Sequence, residues 1–237
     1  MKRHILFLFI LLPWTLKGQY TTTGLSLNEE VHNWYDQQVG LSNTLLTTGS
    51  YFQVVKKTKF NHPFFISDKW VQGDITYNGE HFSNISLLYD MENDFILIRH
   101  PETYKYIMQP IKPLQHLVSS FEMQGHYFMY YHERILLHSP GFFEVHYQGH
   151  SMDLLTKRVR RLETNSSMEL EFVNKDSRII RYKADYYKIK SRMLFYRLFK
   201  EHRKQLRKYI REHQVIFGND NEERLAGFVE YCDSLID

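Results

Sequence analysis

The chain has 237 residues, with 30 Lys and Arg against 27 Asp and Glu, and a single cysteine, Cys232. One thiol excludes a disulfide framework and a Cys/His zinc cluster, so the chain must be stable through its core alone. Aromatic residues make up 16% of it while alanine occurs only at Ala184 and Ala226, a bias toward strands over helices.

Lys2 and Arg3 precede an unbroken apolar run from Ile5 to Leu12, followed by Pro13 and a polar exit through Thr15, Lys17 and Gly18. A basic start followed by an apolar stretch too short to span a bilayer predicts a secretory signal peptide over residues 1–18, cleaved after Gly18. No cysteine lies near that cut, so a lipid anchor is not supported. Loss of Lys2, Arg3 and Lys17 leaves 27 cations against 27 anions, so the net positive charge belongs to the export signal. The expected location is the periplasm, the outer membrane's surface or the medium. No other run is apolar and long enough for a transmembrane helix.

Ser26-Leu27-Asn28-Glu29 has the spacing of a capping box and predicts a short helix carrying Leu27, Val31, Trp34 and Tyr35 on one face. Over residues 45–60 the pattern turns to strand around Tyr51, Phe52, Val54 and Val55, interrupted at Gly49. Residues 63–100 then read as consecutive antiparallel strands. Asn78-Gly79 is a hairpin signal, because a two-residue mirror-type turn needs positive φ at both central positions. A second reversal is expected at the polar cluster of residues 90–94.

Pro101, Pro110 and Pro113 rule out a long helix over residues 102–112 and leave a strand edge with irregular connections. Further turns are predicted at Gln124-Gly125, Gln148-Gly149, residues 165–167 and residues 174–177, separating strand-like runs that include 168–173 and 179–189. Turns at such regular intervals, without intervening helical segments, point to a mainly β, α+β fold: an antiparallel sheet, sandwich or barrel-like, over residues 19–190. From Ser191 the period becomes helical, through Met193, Leu194, Leu198, Leu206, Tyr209 and Ile210. Asn219 to Glu223 then opens a last amphipathic helix with Leu225, Phe228, Val229, Cys232, Leu235 and Ile236 on its apolar stripe. Residues 191–237 are therefore expected to be helical and packed on the β domain.

Pro63, Phe64, Phe65, Trp70, Gly73, Tyr77, Asn78, Gly79, Tyr89, Asp90 and Asp94, with Gly141 to Val145, Gly149, Tyr187 to Ile189 and the closing helices, resemble a family of uncharacterised exported proteins of Gram-negative bacteria. The resemblance implies compartment and fold. Its residues are turn and core positions, and it carries no catalytic residue across.

Histidines 126, 132, 138, 146 and 150 lie close together in sequence, and His146 and His150 flank a turn, so they are candidate metal ligands. No HExxH and no carboxylate at ligand spacing accompanies them, so they read as exposed or half-buried strand histidines and no metal site is assigned. Asp68, Asp74, Asp90, Glu92 and Asp94 supply the carboxylates that a glycan hydrolase would need, and turn formation explains them as well. No nucleophile elbow, P-loop or dinucleotide fingerprint occurs, so no cofactor is expected.

The strongest electrostatic feature is the run from Lys188 to Arg211, above all Lys200, Arg203, Lys204, Arg207, Lys208 and Arg211. Such a helical face can meet phosphate-bearing lipid headgroups or acidic polysaccharide, with nucleic acid the weakest partner for an exported chain. Interleaved Phe195, Tyr196, Phe199 and Tyr209 offer stacking or membrane contact. The same run also reads as a solvated helix face. The expected function is a non-catalytic binding or assembly module of the cell envelope. The alternatives are a glycan hydrolase using carboxylates near Asp68 to Asp94 and a small β-barrel carrier of an apolar ligand.

Overall fold

The computed structural model describes residues 46, 48–100, 109–218 and 222–236. The expected leader over 1–18, the capping box at Ser26 and the cap at 219–221 lie outside the described residues.

Thirteen strands are described: β1 Ser50–Tyr51, β2 Val71–Tyr77, β3 Glu80–Asp90, β4 Phe95–Ile98, β5 Ile111–Lys112, β6 Val118–Met123, β7 His126–Tyr131, β8 Gly141–Gln148, β9 Met152–Lys157, β10 Arg160–Thr164, β11 Leu170–Asn174, β12 Ser177–Tyr182 and β13 Asp185–Lys188. Three helices follow, α1 Met193–Leu198, α2 Arg203–Glu212 and α3 Glu222–Asp233. Eleven strands form one antiparallel sheet in the order β1-β5-β4-β3-β2-β6-β7-β8-β9-β12-β13, and β10-β11 form a separate hairpin. The expected antiparallel sheet with C-terminal helices is present, and it does not close into a barrel. The sheet is single and open, with β1 and β13 as its edges.

The glycine turns behave as their chemistry requires. Asn78 and Gly79 take φ of 52° and 83°, Gln124 and Gly125 take 52° and 77°, and each closes a two-residue hairpin, Tyr77 opposite Glu80 and Met123 opposite His126. At residues 90–94 the Asp90 carboxylate accepts the backbone N–H groups of Glu92 and Asn93 at 2.9 and 3.0 Å, an Asx-type turn that hands β3 over to β4.

Two sequence expectations are corrected. Among the described residues of the 45–60 stretch there is no long strand: β1 is two residues long, residues 52–57 have no regular structure, and Val54 and Val55 are exposed. A strand needs a neighbour, and the neighbour here, β5, is limited to Ile111–Lys112 between Pro110 and Pro113. The run 179–189 is also two strands, because Lys183 adopts φ of 57° and pairs Tyr182 with Asp185 across a turn that lacks glycine or asparagine.

The sheet is strongly curled. Tyr89 on β3 and Phe142 on β8 are four strands apart, yet their rings are 6.0 Å apart, where a flat sheet would separate them by about 19 Å. The concave face is filled by Ile75, Tyr77, Leu87, Tyr89, Phe121, Phe128 and Phe142, all essentially inaccessible to water. Phe121 stacks on Phe128 at 4.6 Å, and Tyr89 touches both, packing worth about 0.5–1.5 kcal/mol per ring pair beyond burial.

An ion pair ties the curl. Lys157 at the end of β9 donates to Asp94 Oδ2 at 2.5 Å and to the Phe142 carbonyl at 2.8 Å, while Tyr89 donates to Asp94 Oδ1 at 2.7 Å. Burial lowers the Lys157 pKa and Asp94 opposes that shift. Gly141 makes the approach possible, because a Cβ there would overlap the Asp94 carboxylate. On β9 successive residues face opposite sides: Met152 and Leu154 meet the helices through Phe195, Leu225, Phe228 and Cys232, whereas Leu155 meets Ile135, Phe143 and Ile179. Cys232 is buried on that helix stripe, and burial raises its thiol pKa, as for an inert core residue.

The side chain of Lys157 is 7% exposed and that of Asp94 is 23%. Asp94→Ala strands a buried ammonium, and with Asp94 partly solvated the expected cost is about 2–4 kcal/mol. Asp94→Ala combined with Lys157→Met should recover most of it. Urea unfolding checks both, and a loss within about 0.5 kcal/mol in the single variant would show that the pair does not hold the curl.

Candidate functional site

Helix α2 forms because Leu206, Tyr209 and Ile210 recur at helical spacing and can be covered. Leu206 is fully buried, and Tyr209 stacks on Tyr231 of α3 at 4.4 Å and donates to the Gly227 carbonyl at 3.1 Å. With about 100° between successive residues, Arg203, Arg207 and Arg211 fall in one row and Lys204 and Lys208 in the next. All five, and Lys200 in the preceding turn, are exposed. Arg203 donates to the Tyr196 carbonyl at 2.8 Å, and the Arg207 guanidinium lies 5.6 Å from the Tyr196 ring. Among the described residues none of the six forms an ion pair with a carboxylate. The interleaved aromatics are taken up elsewhere: Phe195, Tyr196 and Phe199 are buried in the helix-sheet interface and Tyr209 packs on α3. The face is therefore cationic, without a stacking platform.

A second constellation was not legible in sequence. A β-bulge on β8 makes His146 the extra residue between Val145, opposite Leu155, and Tyr147, opposite Leu154. Glu144, almost fully buried, receives His126 Nδ1 on Oε1 and Arg158 Nε on Oε2, each at 2.5 Å. Arg158 also donates to Asp176 Oδ2 at 2.9 Å and to Glu222 Oε2, in the first turn of α3, at 2.5 Å. His146 Nε2 bonds Thr156 Oγ1 at 2.9 Å and lies 3.8 and 3.9 Å from the Glu144 and Glu222 carboxylates. Burial pushes the Glu144 carboxyl up, but His146 and Arg158 more than offset it and leave its pKa lowered. Burial lowers His146 despite Glu144 and Glu222, and Arg158 is raised because the two carboxylates outweigh its burial.

Glu144, His146 and Glu222 place three donor atoms within 4.8 Å, as a metal site would. Arg158 already bonds the facing oxygens of both carboxylates and supplies the positive charge there. A nucleophilic triad is not formed either. The carboxylates approach the same His146 nitrogen that bonds Thr156, so none orients the ring from its other side, and Thr156 is sealed from solvent. The cluster is an electrostatic clamp joining the sheet, the 176 loop and α3.

Of the pair that sequence allowed to approach, His146 bonds Thr156, and the His150 backbone N–H is donated to Asp233 at 2.9 Å. The carboxylate company that sequence withheld from the histidines is present, through Glu144 and the distant Glu222. The acidic residues of the 68–94 region are largely taken up by structural contacts. Asp74 accepts the Asn84 N–H, Asp90 caps its own turn, Glu92 pairs with Lys57, and Asp94 pairs with Lys157. A groove of about 630 Å³ is lined by Phe52, Val54, Phe60, Phe64, Trp70 and Leu88. It lies on the convex side, where Leu88 points, and not inside the aromatic-filled curl.

Comparisons with family models, with curated proteins and with solved structures find no match to this chain.

His62, His138 and His146 all have lowered pKa values, with burial the largest cause in each. A histidine whose folded pKa lies below its unfolded value of 6.5 binds fewer protons when folded. Its stabilising contribution is present above 6.5 and is lost as pH falls toward the folded value. Urea unfolding from about pH 8 to about pH 5 is expected to show falling stability, and His146→Gln to flatten part of that slope. A slope unchanged in the variant would contradict a neutral, buried His146.

Proposed function

We propose that the chain is an exported, non-catalytic binding module of the cell envelope that holds an anionic partner on α2. The observation that carries this reading is the exposed set Arg203, Lys204, Arg207, Lys208 and Arg211 on one face of α2, with Lys200 just before it, without carboxylate partners among the described residues. Like charges kept side by side on a short helix repel one another. Their arrangement makes physical sense when a polyanion or a phosphate-bearing surface supplies the missing counter-charge. The resemblance of the turn and core residues to exported Gram-negative proteins supports the compartment. Among the described residues no helix is long and apolar enough to cross a membrane.

The test replaces all six cations by Gln and measures binding to a soluble polyuronate and to phosphatidylglycerol vesicles over a range of salt. Each cation near an anionic surface is worth up to about 1 kcal/mol, so a loss of about a hundredfold or more is expected, with a shallower salt dependence. Unchanged binding by a folded variant removes the helix from the reading.

A further inference from the structure

Between β7 and β8 the chain makes a small hairpin that contradicts its own turn chemistry. Ile135 and His138 exchange both backbone hydrogen bonds, at 3.2 and 3.0 Å, so the turn consists of Leu136 and Leu137 alone. Leu136 has φ of 55°, in the left-handed region that such turns give to glycine, asparagine or aspartate. Leu137 is 94% exposed, more than any other large apolar residue described. The base is rigid, because Ile135 is fully buried against Phe143, Leu155 and Ile179. Leu136 is thus held in a strained conformation, 39% exposed, and Leu137 is aimed at solvent, although neither belongs to a core cluster nor favours the backbone. Strain held in place by a well-packed surround points to a role outside folding.

The surroundings decide the kind of partner. Arg134 is exposed in the hairpin's own stem, and Lys157, Lys188 and Arg161 lie close enough to act on His138 at the hairpin's base. Of these, Arg161 and Lys188 are exposed, while Lys157 is held by Asp94. Of the nearby anions, Asp94, which also acts on His138, is paired with Lys157, and Glu133 accepts the Tyr186 hydroxyl at 3.0 Å. A convex apolar tip offers no concavity for a small molecule. An exposed leucine tip with Arg134 in its stem and with Arg161 and Lys188 exposed near its base suits a surface that is soft, apolar beneath and anionic on top. We propose that the Leu136-Leu137 hairpin inserts into the headgroup and acyl boundary of an anionic lipid bilayer. This surface is separate from α2. The hairpin's base packs with Leu155 and Ile179, on the face of the sheet opposite the one where Leu154 and Ile180 meet the helices. The inference therefore stands or falls apart from the helix.

The experiment uses the full chain with three substituted forms: Leu136→Gly with Leu137→Asn, the six-fold Gln form of the helix, and Leu137→Cys carrying a polarity-sensitive dye. Buried Cys232 leaves the new thiol as the accessible one. With phosphatidylglycerol vesicles the Gly-Asn form should bind about tenfold or more weakly. It should keep or raise its thermal midpoint, since its turn residues suit the backbone. Its binding to soluble polyuronate should be unchanged, whereas the helix form should lose polyuronate binding, so the two surfaces are separable. The dye at residue 137 should shift to the blue on anionic vesicles and not on phosphatidylcholine ones. Wild-type vesicle binding by the Gly-Asn form, or an unshifted dye, overturns the proposal. So does a change from dimer to monomer in the Gly-Asn form, which would assign the tip to a second copy. If the Gly-Asn form fails to fold, the dye decides, because that form leaves Leu136 in place.

Discussion

The contact between Asp94 and Lys157 is the constraint on which the architecture turns. It joins the β3-β4 turn to the end of β9, two places that are far apart in strand order, and it holds an almost wholly buried Lys157 whose charge would be costly unpaired. Tyr89 and the Phe142 carbonyl complete the coordination, and Gly141 leaves the space for it. Once that point is fixed, the sheet must roll, and the roll is what allows Tyr89, Phe121, Phe128 and Phe142 to meet ring on ring. An aromatic-rich, alanine-poor composition is how the curled eleven-stranded sheet fills its own concave face.

Among the described residues the concave face of the curl is filled by side chains, and the exposed cations and the exposed Leu137 lie on outer surfaces. The helical layer presents cations, and the opposite face of the sheet carries the leucine-tipped hairpin. The buried cluster of Glu144, His146, Arg158, Asp176 and Glu222 serves the helical layer. It fastens the first turn of α3 to β8 and β9, and Asp233 at the far end accepts the Tyr147 hydroxyl and the His150 and Ser151 N–H groups. A helix held at both ends gives α2 a firm bed, through Tyr209 on Tyr231 and Phe228.

What could be read from sequence follows the range of the physics involved. Asn78-Gly79, Gln124-Gly125 and the Asp90 turn are local, and each reversal was legible because its residue types match its dihedral angles. The cationic set on α2 was legible because it needs only helical spacing. The turns at Lys183-Ala184 and Leu136-Leu137 were not, since their residues are poor turn formers held in place by the surrounding sheet. Residues 45–60 carry strand-like side chains, yet strand formation depends on a partner that the prolines around β5 keep short. Glu222 joins Glu144 and His146 from 76 positions beyond the nearer of them, a distance that no spacing rule covers.

Nuclear Overhauser contacts between the ring protons of Tyr89 and Phe142 test the curl most directly. A sheet rolled by the Asp94 and Lys157 pair places these rings 6.0 Å apart and gives a cross-peak between them, with further contacts from each ring to Phe121. A folded chain in which Tyr89 shows contacts only to its neighbours along β3, β2 and β4, and none to Phe142, would mean a flat sheet and would contradict the architecture.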